Sequence, residues 1–547
     1  MKAIDRIMQH KWFQVFLFLF VWVSIFILYY PAHNAMLIDD GISGIYEMKI
    51  GGWKGFLHSY HFDNFYYGHY LFIGICYALF GVNTLGWFIV FTFFHALNTT
   101  LAFVFFRKLF TYLVSIESAA VISFSGSILF AFSAYQSENI VWAATSHYMI
   151  TLSILLMSLS WLCDFIGGKK TTFSLLLFHL FFLYALVTLE ISILFPILYV
   201  LVFVLFLFYQ KNQICSLSFG TKILAPIISF VFLYCLAHKY LHHTWLPQER
   251  QMQGMDIPLS QMVATLSQHL LKLFGFVHFL PYQTRDKIYE LCLHWKKVGI
   301  VFELLFIVVS VFIYKKDKQK LFIFWFLIAC SLLLYLPFIR CYFMYLMRLE
   351  NDRYSYFASV FLLPLFAYFV FQLPKWIRYI LLLAYVSASI YFLLPDIQAR
   401  ANSAKLYTTY LHTFPDTLKH KVYLMNVPAV CTDAYLFRAK PRFEISYEVL
   451  FDKKLACDLE QLVWYNAMSE KDSFAVKKIN DTAYHFQLKT NGSWLMHENI
   501  GATDYETADY KVDIDDWGGY NLLFKKPLAK DASIIYFTGK GFQKVNE

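Results

Sequence analysis

The amino-acid sequence predicts a mostly α-helical, polytopic membrane protein that ends in a small domain of mixed α+β structure. Of its 547 residues, 59% are hydrophobic and only 15% are charged, and the mean hydropathy is +0.50. A soluble protein of this length would need more charged side chains to cover its surface. We therefore predict a bundle of about eleven transmembrane helices in residues 1–395 and an extracytoplasmic domain in residues 396–547.

The first apolar run sets the predicted orientation. Residues 12–30 carry no charge, and a transmembrane helix needs about 20 apolar residues. Lys2, Arg6 and Lys11 precede this run, and flanking positive charge favours the cytoplasmic side. The run is long for a cleaved signal peptide and no small-residue cleavage site follows it, so we expect an uncleaved anchor.

The later apolar runs follow the same charge rule. The other predicted spans are residues 86–106, 118–135, 148–166, 172–188, 191–208, 223–238, 298–314, 321–339, 354–372 and 377–394. Every predicted inner loop is basic, as in Arg107 with Lys108 and in the cluster at 315–320. The net charge of +9 is spread over these loops, so the expected partner is the anionic inner leaflet and not nucleic acid.

Two outer segments fit no span. Residues 262–280 are apolar, but they include Gln268 and Lys272, which are costly in lipid, so we predict a helix in the outer interface instead of a twelfth span. Residues 70–80 are too short to cross a membrane. They fall in a long first external loop, residues 31–85.

The C-terminal region changes character at residue 396. Short alternating runs, with turn signals between them, predict a strand-rich domain with one or two helices. It shows no catalytic motif, and we interpret it as a packing cap or a module that docks an acceptor. Cys431 and Cys457 could form a disulfide in an oxidising compartment or remain free thiols.

An acidic pair, Asp39 and Asp40, follows the first span and is expected at the outer headgroup level. Other polar residues are predicted at the same ends of the spans: Glu138, His147, Glu190, Lys239, Arg340, Arg348, Arg353 and Tyr354. Glu190 lies in a very short loop and needs a partner or a raised pKa if it is buried, and Arg353 would suit it. His95 falls within a span and is expected to form a hydrogen bond between helices. For the acidic pair, a solvated Asp-Asp-Gly turn remains the alternative.

Carboxylates and cations at the outer face suit transfer from a lipid-linked sugar phosphate. The departing phosphate needs positive charge, which Arg or Lys supplies. The acceptor hydroxyl needs a base, which Asp supplies, and one inverting displacement needs no nucleophilic residue. A divalent cation, Mg²⁺ or Mn²⁺, held by the acidic pair could replace part of the cationic help. No metal-ligand spacing is evident, so we assign neither a metal site nor a definite cofactor.

Five segments in order resemble the multi-spanning GT-C glycosyltransferases, which use polyprenyl-phosphate sugars. They are IDDG at 38–41, the stretch YYGHY at 66–70 with LFGVN at 79–83 and FHALN at 94–98, ENIVW at 138–142, TLE at 188–190 and RYSY at 353–356. The resemblance covers about residues 31–360. Gly68 stands where that family usually has Arg-Pro, and the TLE segment lacks the usual Lys before its Glu.

The resemblance implies a GT-C fold and a role for each site residue. Asp39 would be the catalytic base, and Asp40 would orient the acceptor or hold a metal. Arg353 would pair with the carrier phosphate, while Tyr354, Glu138 and Glu190 would shape the cavity. The donor would be a polyprenyl-phosphate sugar, and the acceptor a glycan, a lipid or a protein.

Two alternatives belong to other functional classes. One is a transporter or flippase of a lipid-linked glycan, which would need a polar path across the bundle and often shows repeated halves. We find no repeat, and His95 is the clearest polar residue within a span. The other is a membrane-anchored glycan-binding protein whose C-terminal region does the work.

Overall fold

The computed structural model describes residues 8, 10–59, 65–114, 116–168, 172–209, 216–246, 304–305, 308–309, 311–312, 317–340, 353–431, 434–438, 440–469, 471–489, 494–497, 500–501, 503–515 and 518–545. The described part of the chain is mostly helical, at 68%, with eight candidate membrane-spanning helices and a C-terminal sheet region. The predicted combination of many apolar helices and a smaller domain with strands is therefore confirmed at this level.

The N-terminal part is built from helices joined by short turns. They are α1 (Lys11–Tyr29), α2 (Asp40–Ser59), α3 (Tyr67–Phe80), α4 (Thr84–Leu113), α5 (Ile116–Ala131), α6 (Ser137–Val141), α7 (Ser146–Ile166), α8 (Thr172–Leu186), α9 (Phe195–Tyr209), α10 (Ser216–Phe219), α11 (Ala225–His242), α12 (Lys318–Tyr335), α13 (Tyr356–Val370) and α14 (Lys375–His412). Turns of 3-10 helix occur at Tyr30–Ala35, Ala134–Gln136, Ala143–Thr145, Glu190–Leu194 and Leu336–Arg340, and a π-helical turn at Gly220–Leu224.

Eight segments of the described chain are long and apolar enough to cross a membrane. They are Trp12–Ala35, Thr84–Leu113, Ala143–Ile166, Glu190–Tyr209, Gly220–His242, Lys318–Phe338, Arg353–Val370 and Lys375–His412. Ser118–Ala131 and Ala134–Val141 pass the same test together but are bent by 59°. These lengths and compositions are compatible with an integral membrane protein.

Some predicted segments differ from this set or lie beyond it. The predicted span 172–188 corresponds to α8, which has 15 residues and is therefore about 22 Å long, shorter than a hydrocarbon core of about 30 Å. Helix α3, with 14 residues, is short, as expected for residues 70–80. The predicted interfacial helix 262–280 lies outside the described residues, as does most of the predicted span 298–314.

Helix α4 lies at the centre of the bundle, where it packs against α1, α5 and α7. His95, in the middle of α4, is fully buried. Its Nδ1 lies 3.2 Å from the Tyr356 hydroxyl and its Nε2 lies 3.0 Å from the Ala131 carbonyl oxygen. Asn98 donates to the same Tyr356 hydroxyl at 3.0 Å. The predicted role of His95 as a hydrogen bonder between helices is confirmed.

Helix α14 connects the bundle to the C-terminal domain without a break. It runs for 38 residues and contains Pro395, so the predicted boundary at residues 395 and 396 falls inside a helix. The first half is apolar and mostly exposed, whereas Tyr407 and Tyr410 in the second half are buried in the core of the C-terminal domain. The helix thereby fixes the domain to the end of the last described span.

The C-terminal domain contains two sheets. Its strands are β1 (Lys421–Cys431), β2 (Ala434–Tyr435), β3 (Asp458–Ala467), β4 (Phe474–Lys478), β5 (Ala483–Leu488), β6 (Trp494–His497), β7 (Ile500–Gly501), β8 (Tyr505–Glu506), β9 (Tyr510–Ile514), β10 (Gly519–Phe524), β11 (Ser533–Phe537) and β12 (Phe542–Lys544). One sheet has the order β12-β11-β1-β3-β6-β7, with β2 beside β1, and the other has the order β4-β5-β10-β9-β8.

Strand β1 is the centre of the larger sheet and runs parallel to both β11 and β3. Helix α15 (Arg442–Phe451) forms the crossover from β1 to β3. A strand with a parallel partner on each side is expected to be apolar along its length, and β1 is buried except at its first residue. Cys431 and Cys457 are free thiols. The segment from β2 to α15 faces the helical bundle and carries the residues described next.

Candidate active site

The acidic pair lies in a tight turn between the first span and α2. The 3-10 turn Tyr30–Ala35 continues α1, and Asp39 then adopts a positive φ of 53°, a conformation that Asp tolerates better than most residues. The Gly41 amide donates to the Ile38 carbonyl oxygen at 3.0 Å. A Cβ at Gly41 would lie 2.8 Å from the Met36 carbonyl oxygen, so a side chain there would disturb the turn.

Two arginines of the C-terminal domain face the acidic pair. Nε of Arg438 donates to Oδ2 of Asp39 at 2.6 Å, and its Nη2 donates to Oδ2 of Asp40. Arg442, in the first turn of α15, donates from Nη2 to Oδ1 of Asp40, and its Nε lies 3.6 Å from Oδ1 of Asp39. A separate ion pair between Lys49 and Asp452, at 2.7 Å, also joins α2 to the end of α15.

The two carboxylates differ in their access to water. The Asp39 side chain is fully buried, whereas 36% of the Asp40 side chain is exposed. Burial raises the pKa of Asp39 above its ordinary value, although the charges of Arg438 and Arg442 oppose that effect. Burial also acts on Asp40, but Arg438 and Arg442 outweigh it and lower its pKa. Oδ1 of Asp39 is buried and accepts no hydrogen bond from any described residue.

A second buried ion pair lies beside the first. The guanidinium of Arg353 donates to Oε1 of Glu138, and the Arg353 amide donates to Oε2 at 3.0 Å. Trp142 lies between the two pairs: the Arg353 guanidinium carbon is 5.5 Å from the ring centroid and that of Arg438 is 6.0 Å away. The indole Nε1 of Trp142 donates to the Ile38 carbonyl oxygen at 2.9 Å, which ties this ring to the turn that holds Asp39.

A small cavity of about 20 Å³ opens between these groups. Its lining residues are Ala35, Ile38, Glu138, Trp142, Arg400, Ala434 and Tyr435. Arg400 extends from α14, and its Nε lies 3.8 Å from Oδ2 of Asp396. The cavity is lined by Glu138, Trp142 and Arg400 next to the turn that carries the acidic pair, and it accommodates about one water molecule.

Histidine, tyrosine and glutamate side chains extend the group of polar residues into the space between α3 and α7. The Tyr66 hydroxyl donates to Oε1 of Glu190 at 3.3 Å. Nδ1 of His69 lies 2.7 Å from Oγ of Ser146, and the rings of His69 and His147 are 4.8 Å apart. The predicted pairing of Glu190 with Arg353 is wrong, because Arg353 binds Glu138 instead.

The structure brings together seven of the ten predicted site residues, at one end of the bundle. They are Asp39, Asp40, Glu138, His147, Glu190, Arg353 and Tyr354, and Arg353 donates to the Tyr354 hydroxyl at 3.0 Å. Lys239 is separate from the acidic pair: it is exposed in the last turn of α11 and donates to the His243 carbonyl oxygen at 2.9 Å. The side chain of Arg340 and all of Arg348 lie outside the described residues.

Sequence reasoning missed Arg400, Arg438 and Arg442. The region after residue 396 shows no catalytic motif, and two arginines four residues apart are typical of any solvated surface. Arg438 and Asp39 are 399 residues apart in the chain, so no local spacing could connect them. The signal that could have found them is the set of acidic residues at the ends of the apolar runs, because buried carboxylates require cationic partners.

The acidic pair as arranged fits a divalent cation poorly. Oδ2 of Asp39 and both oxygens of Asp40 already accept from guanidinium groups. A cation beside Oδ1 of Asp39 would lie close to Arg442, whose Nε is 3.6 Å from that oxygen, and the like charges would repel. Within the described part of the chain, no group of three or more His, Cys, Asp or Glu residues could hold a metal ion. A metal at the pair stays a prediction from the sequence.

The YYGHY and TLE segments contact each other, and the contact lies where both of them differ from the family pattern. The Gly68 amide donates to the Val187 carbonyl oxygen at 2.8 Å. A Cβ at Gly68 would lie 1.9 Å from Oγ1 of Thr188. An Arg-Pro in this position would therefore not fit against Thr188 with the present backbone. The FHALN and RYSY segments also meet, through the shared Tyr356 hydroxyl.

We expect Gly68→Ala to destabilise the protein by about 1–3 kcal/mol, the range for adding a methyl group to a packed site. Thermal unfolding of the detergent-purified chain measures this. Gly68→Ala with Thr188→Ala should recover part of the loss, since the hydroxyl that blocks the methyl is gone. Gly220→Ala is the control, because nothing lies within 4 Å of a Cβ at that position. Equal unfolding temperatures for Gly68→Ala and Gly220→Ala would contradict the proposed clash.

No protein-family model and no curated protein matches this chain.

Proposed function

We propose that the protein is an integral membrane glycosyltransferase of the GT-C type, which transfers a sugar from a polyprenyl-phosphate donor to an acceptor hydroxyl by a single inverting displacement. Asp39 is the base that accepts the hydroxyl proton. Arginines at the same site stabilise the departing phosphate. The acceptor is a glycan, a lipid or a protein at the outer face of the membrane.

The observation that carries this proposal is the state of Asp39 Oδ1. It is a carboxylate oxygen, fully buried at the end of the bundle, with no hydrogen-bond donor among the described residues. A base needs an acceptor atom that is not already engaged and that reaches the substrate proton. The other oxygen of Asp39 is held by Arg438, which fixes the carboxylate orientation.

The outer position of the site is part of the proposal and rests on the positive-inside rule. Thr84, the first residue of α4, donates to Oδ1 of Asn34 beside the acidic turn. Arg107 and Lys108 lie towards the other end of α4, where Lys108 pairs with Asp164 at 2.5 Å. Basic residues at that end favour its placement in the cytoplasm, and the acidic turn then faces outward.

The distribution of charge favours a transferase over a transporter. The buried charged side chains of the described helices are Asp39, Glu138, Arg353 and Arg400, and all four belong to the site. The middle of the described bundle contains only neutral polar groups, such as Asn98 and His95. A carrier for a charged headgroup would need polar or charged groups along its path.

Reconstitution of the whole chain in proteoliposomes tests the proposal. The vesicles receive short-chain polyprenyl phosphates that carry labelled mannose, glucose, galactose or aminoarabinose, with a lipid extract and a membrane-protein extract as acceptors. We expect label to move from one donor to an acceptor and the anomeric configuration of the sugar to invert. The donor chosen should match the lipid-linked sugar that accumulates in cells lacking the protein.

Two results would contradict the proposal. Movement of labelled donor from one leaflet to the other with no label on any acceptor would favour the flippase alternative. Retained activity in a chain that begins at residue 42 would show that the acidic turn and the span before it are dispensable. Protein-free vesicles that contain the same donors are the control for spontaneous exchange.

A further inference from the structure

Arg438 and Arg442 present a matched pair of guanidinium groups to the site. Three of their four contacts to the acidic pair are hydrogen bonds, and the fourth is the 3.6 Å approach of Arg442 Nε to Asp39. Arg438 also stacks on Tyr435, with its guanidinium carbon 3.6 Å from the ring centroid. Stacking of this kind holds a guanidinium in place before any ligand binds.

Planar guanidinium groups bind carboxylates and phosphates in the same bidentate way. The carboxylates of Asp39 and Asp40 are therefore chemical stand-ins for the oxygens of a phosphate. The donors that face the acidic pair are already in use, since Nε and Nη2 of Arg438 and Nη2 of Arg442 donate to the carboxylates. Any phosphate that binds these arginines must displace at least one of the two carboxylates.

We propose that Arg438 and Arg442 form a phosphate-binding site for the headgroup of a polyprenyl-phosphate lipid, and that Asp40 occupies this site until the lipid arrives. The inference rests on the proposed function and adds to it the residues that receive the phosphate. Displacement of Asp40 is easier than displacement of Asp39, because Asp40 is partly exposed to water and can be hydrated when it leaves.

The other arginines of the site are less suited to this role. The guanidinium of Arg353 donates to Oε1 of Glu138 and its amide donates to Oε2, so a phosphate would have to break a largely buried pair to reach it. Arg400 lies beside Asp396 on its own helix. The sequence-based assignment of the carrier phosphate to Arg353 is therefore replaced, in this inference, by an assignment to Arg438 and Arg442.

The acceptor oxygen forms a bond to the anomeric carbon of the sugar while the bond from that carbon to the phosphate oxygen breaks. The hydroxyl proton passes to Oδ1 of Asp39, and the polyprenyl phosphate leaves with one additional negative charge, which Arg438 and Arg442 stabilise. No oxidant, reductant or further reactant is needed.

Equilibrium binding of labelled farnesyl phosphate to the detergent-solubilised whole chain tests the inference without measuring transfer. If Asp40 competes with phosphate, Asp40→Asn should tighten binding at least fivefold. Arg442→Gln and Arg438→Gln should each weaken binding at least tenfold, and Arg442→Lys should restore part of the loss because it keeps the charge. Lys49→Gln is the matched control, since it removes a cation from the same interface and should leave binding unchanged.

Inorganic phosphate and farnesol serve as competitors that separate the two parts of the ligand. Farnesyl phosphate that binds at least tenfold more tightly than inorganic phosphate supports a lipid headgroup site. Equal affinities would overturn the assignment to a lipid, and farnesol that competes as well as farnesyl phosphate would overturn the assignment to a phosphate. Unchanged or weaker binding in Asp40→Asn would overturn the competition, even if an arginine variant failed to fold.

The inference and the proposed function fail in different ways. Loss of transfer in Asp39→Asn without tighter binding in Asp40→Asn would leave the transferase standing and remove the arginine site. The expected binding changes without transfer of any sugar would retain a phosphate-lipid site and remove the transferase.

Discussion

Replacement of Asp39 by Asn is expected to lower kcat/KM for sugar transfer by about 10²–10⁴-fold, the usual contribution of a general base. Asn cannot accept the acceptor's proton at neutral pH, but it keeps an oxygen that accepts from Arg438. It also tolerates the positive φ of residue 39. The variant should therefore fold, and the loss should report chemistry. Asp39→Ala would confuse the two effects, since Ala is strained in this conformation.

The pH profile separates a base from a merely structural carboxylate. Activity requires ionised Asp39, so kcat/KM should rise with pH through its pKa, which burial raises above the ordinary aspartate value. The negative charge of Asp40 raises the pKa of Asp39, so Asp40→Asn should lower that pKa and move the rise in activity to lower pH. The positive charge of Arg438 lowers the pKa of Asp39, so Arg438→Gln should raise that pKa and move the rise in activity to higher pH.

Asp416→Asn is the matched control for these measurements. Asp416 is an exposed carboxylate of the same domain that pairs with Lys453 at 2.7 Å, and its loss should leave both the rate and the pH profile unchanged. Full transfer activity in correctly inserted Asp39→Asn would remove this residue as the base. A profile that does not move in Asp40→Asn or Arg438→Gln would show that the group that titrates is elsewhere.

The contrast between Asp39 and Arg438 shows how far the sequence could lead. The choice of Asp39 as a site residue followed from one physical rule, because a charged residue just past an uncharged run of 19 is expected at the membrane surface. Glu138 and Arg353 followed from the same rule, and the structure places them in contact. These residues could be grouped from the sequence because charged side chains are costly within apolar spans and collect at their ends, whatever their partners are.

The pairing of these residues was beyond the sequence. The sequence suggested Glu190 as the partner of Arg353, whereas the packing of α13 against the turn after α5 brings Arg353 to Glu138. Arg438 and Arg442 look like surface cations, because nothing in the local sequence shows that α15 docks on α2. The continuous helix α14 connects the bundle to the domain that carries α15. Because proline usually ends a helix, the continuation of α14 past Pro395 could not be predicted from the sequence.

Loss of the buried pair between Glu138 and Arg353 is expected to have the largest effect on stability. The side chain of Glu138 is 1% exposed and that of Arg353 is 11% exposed. Removal of one partner leaves the other charge buried, which typically costs about 3–5 kcal/mol. Glu138→Leu should therefore lower the free energy of unfolding by about that amount, measured by SDS titration in mixed micelles.

The double variant decides whether the charge or the packing matters. Glu138→Leu with Arg353→Met replaces both charges by apolar groups, a change that is often neutral for buried pairs. We expect it to recover most of the stability, less about 1–3 kcal/mol for the Arg353 amide, which loses its acceptor. Asp416→Ala, which breaks an exposed pair, should produce no measurable change. If the double variant were as unstable as Glu138→Leu, the uncompensated charge could not be the cause of the loss. The pair would then stabilise the protein by keeping Trp142 and the acidic turn in position.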